Sequence, residues 1–191
     1  MALILGITGL PGSGKSTAAG ILEKQGFLRV HFGDAVFEEL EKRHLERSES
    51  NERKVREELR SRLGLGALAF LGLERLTKLM VQGAWVVIDG VYSWEEVGLL
   101  KEHFSGQFCL LALHCSPFVR YGRLKLREER SLLSEAALSR DLHELDVLHK
   151  GPTLALADVH IVNESSHTTL KKAIKQGLKK WRKDQVGTVI S

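Results

Sequence analysis

A chain of 191 residues with 43% hydrophobic content can bury one sizeable core, so a single domain with at most a small inserted element is expected. Its 28 Lys and Arg against 24 Asp and Glu leave a net charge of +4, which suits an anionic ligand and falls short of a nucleic-acid-binding tail. Two cysteines exclude a disulfide framework. No charged-apolar-small leader and no apolar run near the roughly 18 residues of a membrane span is present, so a reduced, cytoplasmic protein is expected.

The apolar run from Ala2 to Ile7 predicts a buried strand over residues 3–8. It leads into GITGLPGSGKST, where Gly9, Gly14, Lys15 and Ser16 satisfy the pattern G-x-x-x-x-G-K-[ST]. Strand, glycine loop and helix in this order form a concavity of backbone N–H groups suited to phosphate oxygens. Gly9, Gly12 and Gly14 let the main chain wrap closely. Gly12, Ser13, Gly14, Lys15, Ser16 and Thr17 are therefore the candidate nucleotide cradle, with Lys15 the cation for the β/γ oxygens and the Ser16 hydroxyl a ligand for Mg²⁺. The helix that follows is expected from Lys15 to about Gln25, ending at Gly26.

A second strand is predicted over 28–32, followed by HFGDAV, which contains His31 and Asp34. Residues 37–83 then read as charged first and amphipathic later, broken near Ser48 and Ser50 into at least two helices, with Asn51 a candidate N-cap. The charged part reads either as a solvated face or as an acceptor-binding arm. AWVVIDG predicts a third strand over 84–89 that delivers Asp89 to a carboxyl end, where open α/β sheets bind ligands. Asp89 is a candidate Mg²⁺ holder, because Ser93 and Glu96 form the capping box of the next helix and leave Asp89 no capping duty.

A fourth strand is predicted over 107–114; Cys109 and Cys115 lie six apart along it and read as reduced core residues. In CSPFVRYGRLKLREERS, Ser116 is placed as N-cap and Pro117 at the first helical position. Arg120, Arg123, Arg127 and Arg130 recur at steps of three and four, so they share one helical face or its edges. Guanidinium groups there suit a phosphoryl group in transit, and Arg123 and Arg127 are the preferred pair, with Arg140 a further candidate. The competing reading is a surface helix laced with weak ion pairs. A fifth strand is predicted over 158–162, and the tail after Trp181 is expected to fray. Strands alternating with helical patterns give an α/β, three-layer fold with a parallel sheet. Neither a basic stripe nor interleaved aromatics argues for nucleic acid.

Taken in order, Gly9 to Thr17, HFGDAV, VVIDGVYSWEEV, HCSPFVRYGRLKLR, SRDLHEL and ALADVHIVNE resemble the small P-loop nucleotide kinases. The resemblance is closest to archaeal-type proteins related to adenylate kinase and dephospho-CoA kinase, and it runs to about Asn163. It implies a five-stranded parallel sheet in one domain over 1–191, an acceptor-binding helical insertion at about 34–82, an Arg-bearing lid at about 117–150, ATP and Mg²⁺. It implies transfer of a phosphoryl group from ATP to a small nucleotide-like acceptor, with Lys15, Asp34, Arg123 and Arg127 catalytic and Arg123 also touching the nucleotide. Asp34 matches a carboxylate that either faces the acceptor, as a general base, or caps its helix.

Two positions depart from the monophosphate kinase pattern. Phe37 and Tyr92 stand where that family places arginines on the acceptor's phosphate. A charge-assisted hydrogen bond contributes about 1.5–3 kcal/mol, so losing two weakens a monophosphate acceptor by on the order of a hundredfold or more. The two aromatics read as packing residues or as the lining of a different pocket. Dephospho-CoA kinase, and a nucleotide switch with no small acceptor, stay open as alternatives.

Overall fold

The computed structural model describes residues 2–126 and 134–188. Five strands, β1 (Leu3–Thr8), β2 (Leu28–Val30), β3 (Trp85–Asp89), β4 (Phe108–His114) and β5 (Val159–Val162), form one sheet in the order β2-β3-β1-β4-β5. Every pairing is parallel; Ile7 lies opposite Asp89 on one side and Leu111 on the other. This is the expected α/β architecture, and each observed strand falls within the span predicted for it.

Alternation along the strands sends side chains to two separate cores. Leu3, Leu5, Ile7, Val87, Cys109 and Leu111 pack beneath α1 (Lys15–Glu23) and α9 (His167–Thr188). Ile4, Val86, Ile88, Leu110 and Ala112 pack beneath α2 (Asp34–Lys42), α3 (Glu49–Leu63), α4 (Ala67–Val81) and α5 (Trp94–His103). With both faces covered, β1 and β3 are buried nearly throughout, which is why they read as continuous apolar runs. The remaining helices, α6 (Pro117–Lys125), α7 (Ser134–Asp146) and α8 (Lys150–Ala155), lie between β4 and β5 in the chain. Among the described residues no helix is long and apolar enough to cross a membrane.

Three expectations need correction. The N-cap of α3 is Ser48, whose Oγ accepts from the Asn51 N–H at 3.3 Å, while the Asn51 side chain donates back to the Glu46 carbonyl. Ser and Asn are near-equal caps, so composition alone did not choose between them. The tail after Trp181 continues α9 to Thr188, because Trp181 is buried and anchors the helix in the core beneath β1. Arg120, grouped above with the lid arginines, is buried on α6. It donates to Asp141 Oδ1 at 2.9 Å and Oδ2 at 2.6 Å, and to the carbonyls of Pro11 and Cys115 at 3.0 and 3.1 Å. Arg120 thus ties α7 to the loop after β1. Arg127 and Arg130 lie outside the described residues.

Removing Asp141 leaves a buried guanidinium without its counter-charge, a change that typically costs about 3–5 kcal/mol. Asp141→Ala is expected to lower unfolding stability by that order in urea titrations, and a loss under about 1 kcal/mol would mean that Arg120 finds other partners.

Candidate functional site

The loop from Gly9 to Gly14 joins β1 to α1, and two glycines explain its shape. At Gly12 (φ +80°) a Cβ would meet the Arg120 carbonyl oxygen at 2.7 Å; at Gly14 (φ +98°) it would strike the Asn163 Nδ2. Asn163 also donates from Nδ2 to the Ser13 carbonyl at 2.8 Å, and its own N–H is held by the His114 carbonyl. The first N–H groups of α1 have no intrahelical acceptor, so they point outward at the positive end of the helix. A cavity of about 170 Å³ lies there, lined by Gly12, Gly14, Lys15, Ser16, Thr17 and Asp89, with His31, Tyr92, Arg140 and Glu144 completing the wall. This donor set, with a backbone too close for side chains, fits a polyphosphate.

Lys15 is half-buried and donates from Nζ to the Gly9 and Leu10 carbonyls at 2.7 and 3.3 Å. Burial, aided by the charge of Lys150, pushes its pKa down to about 7. Asp89 is buried at the carboxyl end of β3, and its Oδ2 accepts from Arg29, whose other partner is Glu23. Ser93 caps α5 by accepting from the Glu96 N–H at 3.2 Å, so Asp89 has no capping role. Ser16 and Asp89 line the same cavity, and a hydroxyl and a carboxylate are the oxygen donors that suit a divalent ion.

Other predicted residues fall elsewhere. Asp34 is the first residue of α2, whose N-cap is Gly33; its Oδ2 accepts from Arg75 at 2.8 Å and its Oδ1 lies 4.0 Å from His31 Nδ1. It does not cap the helix through its side chain. Arg123 is absent from the cavity wall as described; its Nη1 points to the Cys115 sulfur at 3.5 Å. Phe37 packs against the larger core with the Arg47 guanidinium 4.3 Å above its ring, so it is a packing residue. Tyr92 is instead a wall.

A second cavity of about 390 Å³ opens between α3 and α7 and shares Tyr92, Arg140 and Glu144 with the first. Arg53, Arg56 and Arg60 line it from α3, opposite Ser139, Arg140 and His143 of α7. Sequence reasoning took these arginines for part of a charged arm without singling them out. The available signal was their spacing of three and four, repeated at 136, 139, 140, 143 and 144 on α7.

Below the shared wall lies a buried charge cluster that sequence reasoning also missed. Lys150 is fully buried and donates to Glu144 Oε2 at 2.6 Å, with its Nζ 4.3 Å over the Tyr92 ring. Burial opposes charge on Glu144, but Lys150 and Lys15 outweigh it and hold the carboxyl below its usual range. Glu96 is buried too; its Oε2 accepts from the Tyr92 N–H at 2.7 Å while its Oε1 has no hydrogen-bond partner. Burial pushes the Glu96 carboxyl up to about 7.

A parallel sheet in this order, with G-x-x-x-x-G-K-S at the first strand-to-helix turn, defines a P-loop protein of kinase-like fold. The family model described as AAA domain matches residues 5–143. The UPF0200 protein of Thermococcus onnurineus is 37% identical over 181 residues, covering 93% of this chain and 97% of that protein. The chain belongs to this family. Among solved structures, TT1252 from Thermus thermophilus (TM-score 0.64, 21% identity) covers 94% of this chain and is covered over 97% of its own. A gluconokinase from Sinorhizobium meliloti (0.62, 17%; 97% of each chain) and a shikimate kinase from Bacteroides thetaiotaomicron (0.60, 13%; 93% and 98%) share the fold.

The Lys15 shift gives a sign that can be checked. Unfolded lysine keeps its proton to about 10.5, while the folded group releases it near 7, so the unfolded state binds more protons between those values and folding gains as pH rises. Relative to Lys15→Met, the wild type is expected to gain stability from pH 7 to pH 10 in denaturant titrations. A gap that stays flat across that window contradicts the assignment.

Proposed function

We propose that the chain is an ATP-dependent phosphotransferase acting on a small nucleotide-like acceptor. The observation that carries this reading is the shared wall: the P-loop cavity and the arginine-lined cavity meet at Tyr92, Arg140 and Glu144, so two ligands would sit side by side. Bound ATP with Mg²⁺ would supply the transferable phosphoryl group. Gly12 to Thr17 bind the polyphosphate through backbone N–H groups, and Lys15 leaves its loop carbonyls to pair with it. Ser16 and Asp89 hold the metal. Arg140, at the junction of the two cavities, and the lid residues Arg123 and Arg127 are assigned to the phosphoryl group in transit. The 34–82 helices form the acceptor arm.

Asp34 is assigned the proton of the acceptor hydroxyl. Its carboxylate sits beside His31, which lines the phosphate cavity, and the exposed pair with Arg75 is weak enough to exchange for a substrate. Hydrogen bonds of this kind commonly tighten only once substrate is bound.

A coupled assay for ADP release, run against nucleosides, nucleoside monophosphates and dephospho-CoA with MgATP, tests the reading. One acceptor class is expected to raise ADP formation well above the ATP-only rate, and Lys15→Ala to lower kcat by about a hundred- to a thousandfold. No stimulation by any acceptor, or full activity in Lys15→Ala, contradicts it. Asp34→Asn is expected to lower kcat by about a hundredfold. Because its ion pairs among the described residues are exposed, the melting temperature should barely change; equal turnover in both proteins would reduce Asp34 to an α2–α4 surface contact.

A further inference from the structure

The second cavity carries more charge than its own residues neutralise. Arg53, Arg56, Arg60 and Arg140 line it against two carboxylates, Glu57 and Glu144, so its wall is predominantly cationic. Arg53 pairs with Glu57 at 2.8 Å, and Arg56 approaches Glu52 at 3.8 Å. Arg140 stands 3.6 Å from a Glu144 carboxylate that Lys150 already holds at 2.6 Å. Arg60 differs from all of these. It is largely enclosed, its Nε has no hydrogen-bond partner, and no carboxylate lies within ion-pair distance of it among the described residues. Its contact is the Tyr92 ring, 5.9 Å from the guanidinium carbon. A partly enclosed guanidinium whose buried Nε is left this way costs stability unless something else completes it.

The arrangement also specifies geometry. Arg56 and Arg60 line the cavity from α3 and Arg140 from α7, so guanidinium donors are available on both walls. A carboxylate presents two oxygens in one plane and is matched by a single fork, whereas a phosphate presents three oxygens in a tetrahedral array that several forks can share. The volume, about 390 Å³, lies within the range of small-molecule sites.

We infer that the acceptor already carries a phosphate monoester, and that this group is anchored between Arg60, Arg56 and Arg140 with the acceptor's hydroxyl directed past Tyr92 toward the P-loop. The anchor replaces, from α3 and α7, the arginines whose places Phe37 and Tyr92 occupy. The inference rests on the phosphotransferase reading for the word acceptor, but the anion site itself does not depend on it.

The test uses the full chain saturated with MgADP, so that the P-loop is filled, and titrates it calorimetrically with inorganic phosphate, ribose 5-phosphate, ribonate and ribose. Inorganic phosphate and ribose 5-phosphate are expected to bind at one site per chain, ribonate at least about tenfold more weakly, and ribose not at all. Arg60→Met should weaken ribose 5-phosphate by about ten- to a hundredfold and Arg60→Lys by less, with MgADP affinity within about twofold of wild type as the control for folding. Ribonate binding as tightly as ribose 5-phosphate overturns the phosphate assignment. No phosphate binding, or binding unchanged in both variants, overturns the site. Arg60-dependent phosphate binding without ADP release from any phosphorylated acceptor would leave the site standing and remove the phosphotransferase reading. ADP release with a neutral acceptor, unaffected by Arg60→Met, would do the reverse.

Discussion

The carbonyls of the loop after β1 are held by side chains from around it, and much of the surrounding structure serves that constraint. A glycine-rich turn left to itself would fold back and satisfy its own donors. Asn163, from the end of β5, and Arg120, from α6, limit this by occupying the loop's carbonyls at Ser13 and Pro11, so that the Ser13 N–H, which donates to the Leu10 carbonyl at 3.1 Å, is the loop donor turned inward among the described contacts. Lys15 covers two more at Gly9 and Leu10. With its acceptors taken from three directions, the loop leaves donors for an anion. The sheet order matters for the same reason, since placing β1 between β3 and β4 brings Asp89 to one flank of the loop and Asn163 to the other.

Charge is distributed around this loop with few spare counter-ions. Lys15, Lys150 and Arg140 surround one ionised carboxylate, Glu144, and Glu96 adds a second acid whose protonation is set near neutrality by burial. Glu144 lines both cavities together with Tyr92 and Arg140, and its pairs with Lys150 and Arg140 lie where the two meet.

What the sequence made legible was local. The five strands and the P-loop could be read because both are contiguous patterns, an apolar run or a motif of fixed spacing, and burial on both faces reinforced the runs. Ser93 with Glu96 was readable as a cap for the same reason. The arginines were not, because a guanidinium's role depends on what lies opposite. Arg120 belonged to the same stripe as Arg123, yet its partner Asp141 lies 21 residues along the chain, on a different helix. Arg53, Arg56 and Arg60 had the spacing of an ordinary solvated face; only the placement of α7 across from them turned that face into a cavity wall. Asp34 was recognised from its neighbours, but its present partners, Arg75 and His31, were not.

The most direct test of this account is a calorimetric titration of the protein with the non-hydrolysable analogue adenosine 5′-(β,γ-imido)triphosphate in magnesium buffer. The account requires one binding event per chain, weakened at least about tenfold when Lys15 is replaced by Met, because the ammonium contributes a charge-assisted contact that no other side chain of the loop supplies. Titrations with no heat, or with the same affinity in both proteins, would contradict it.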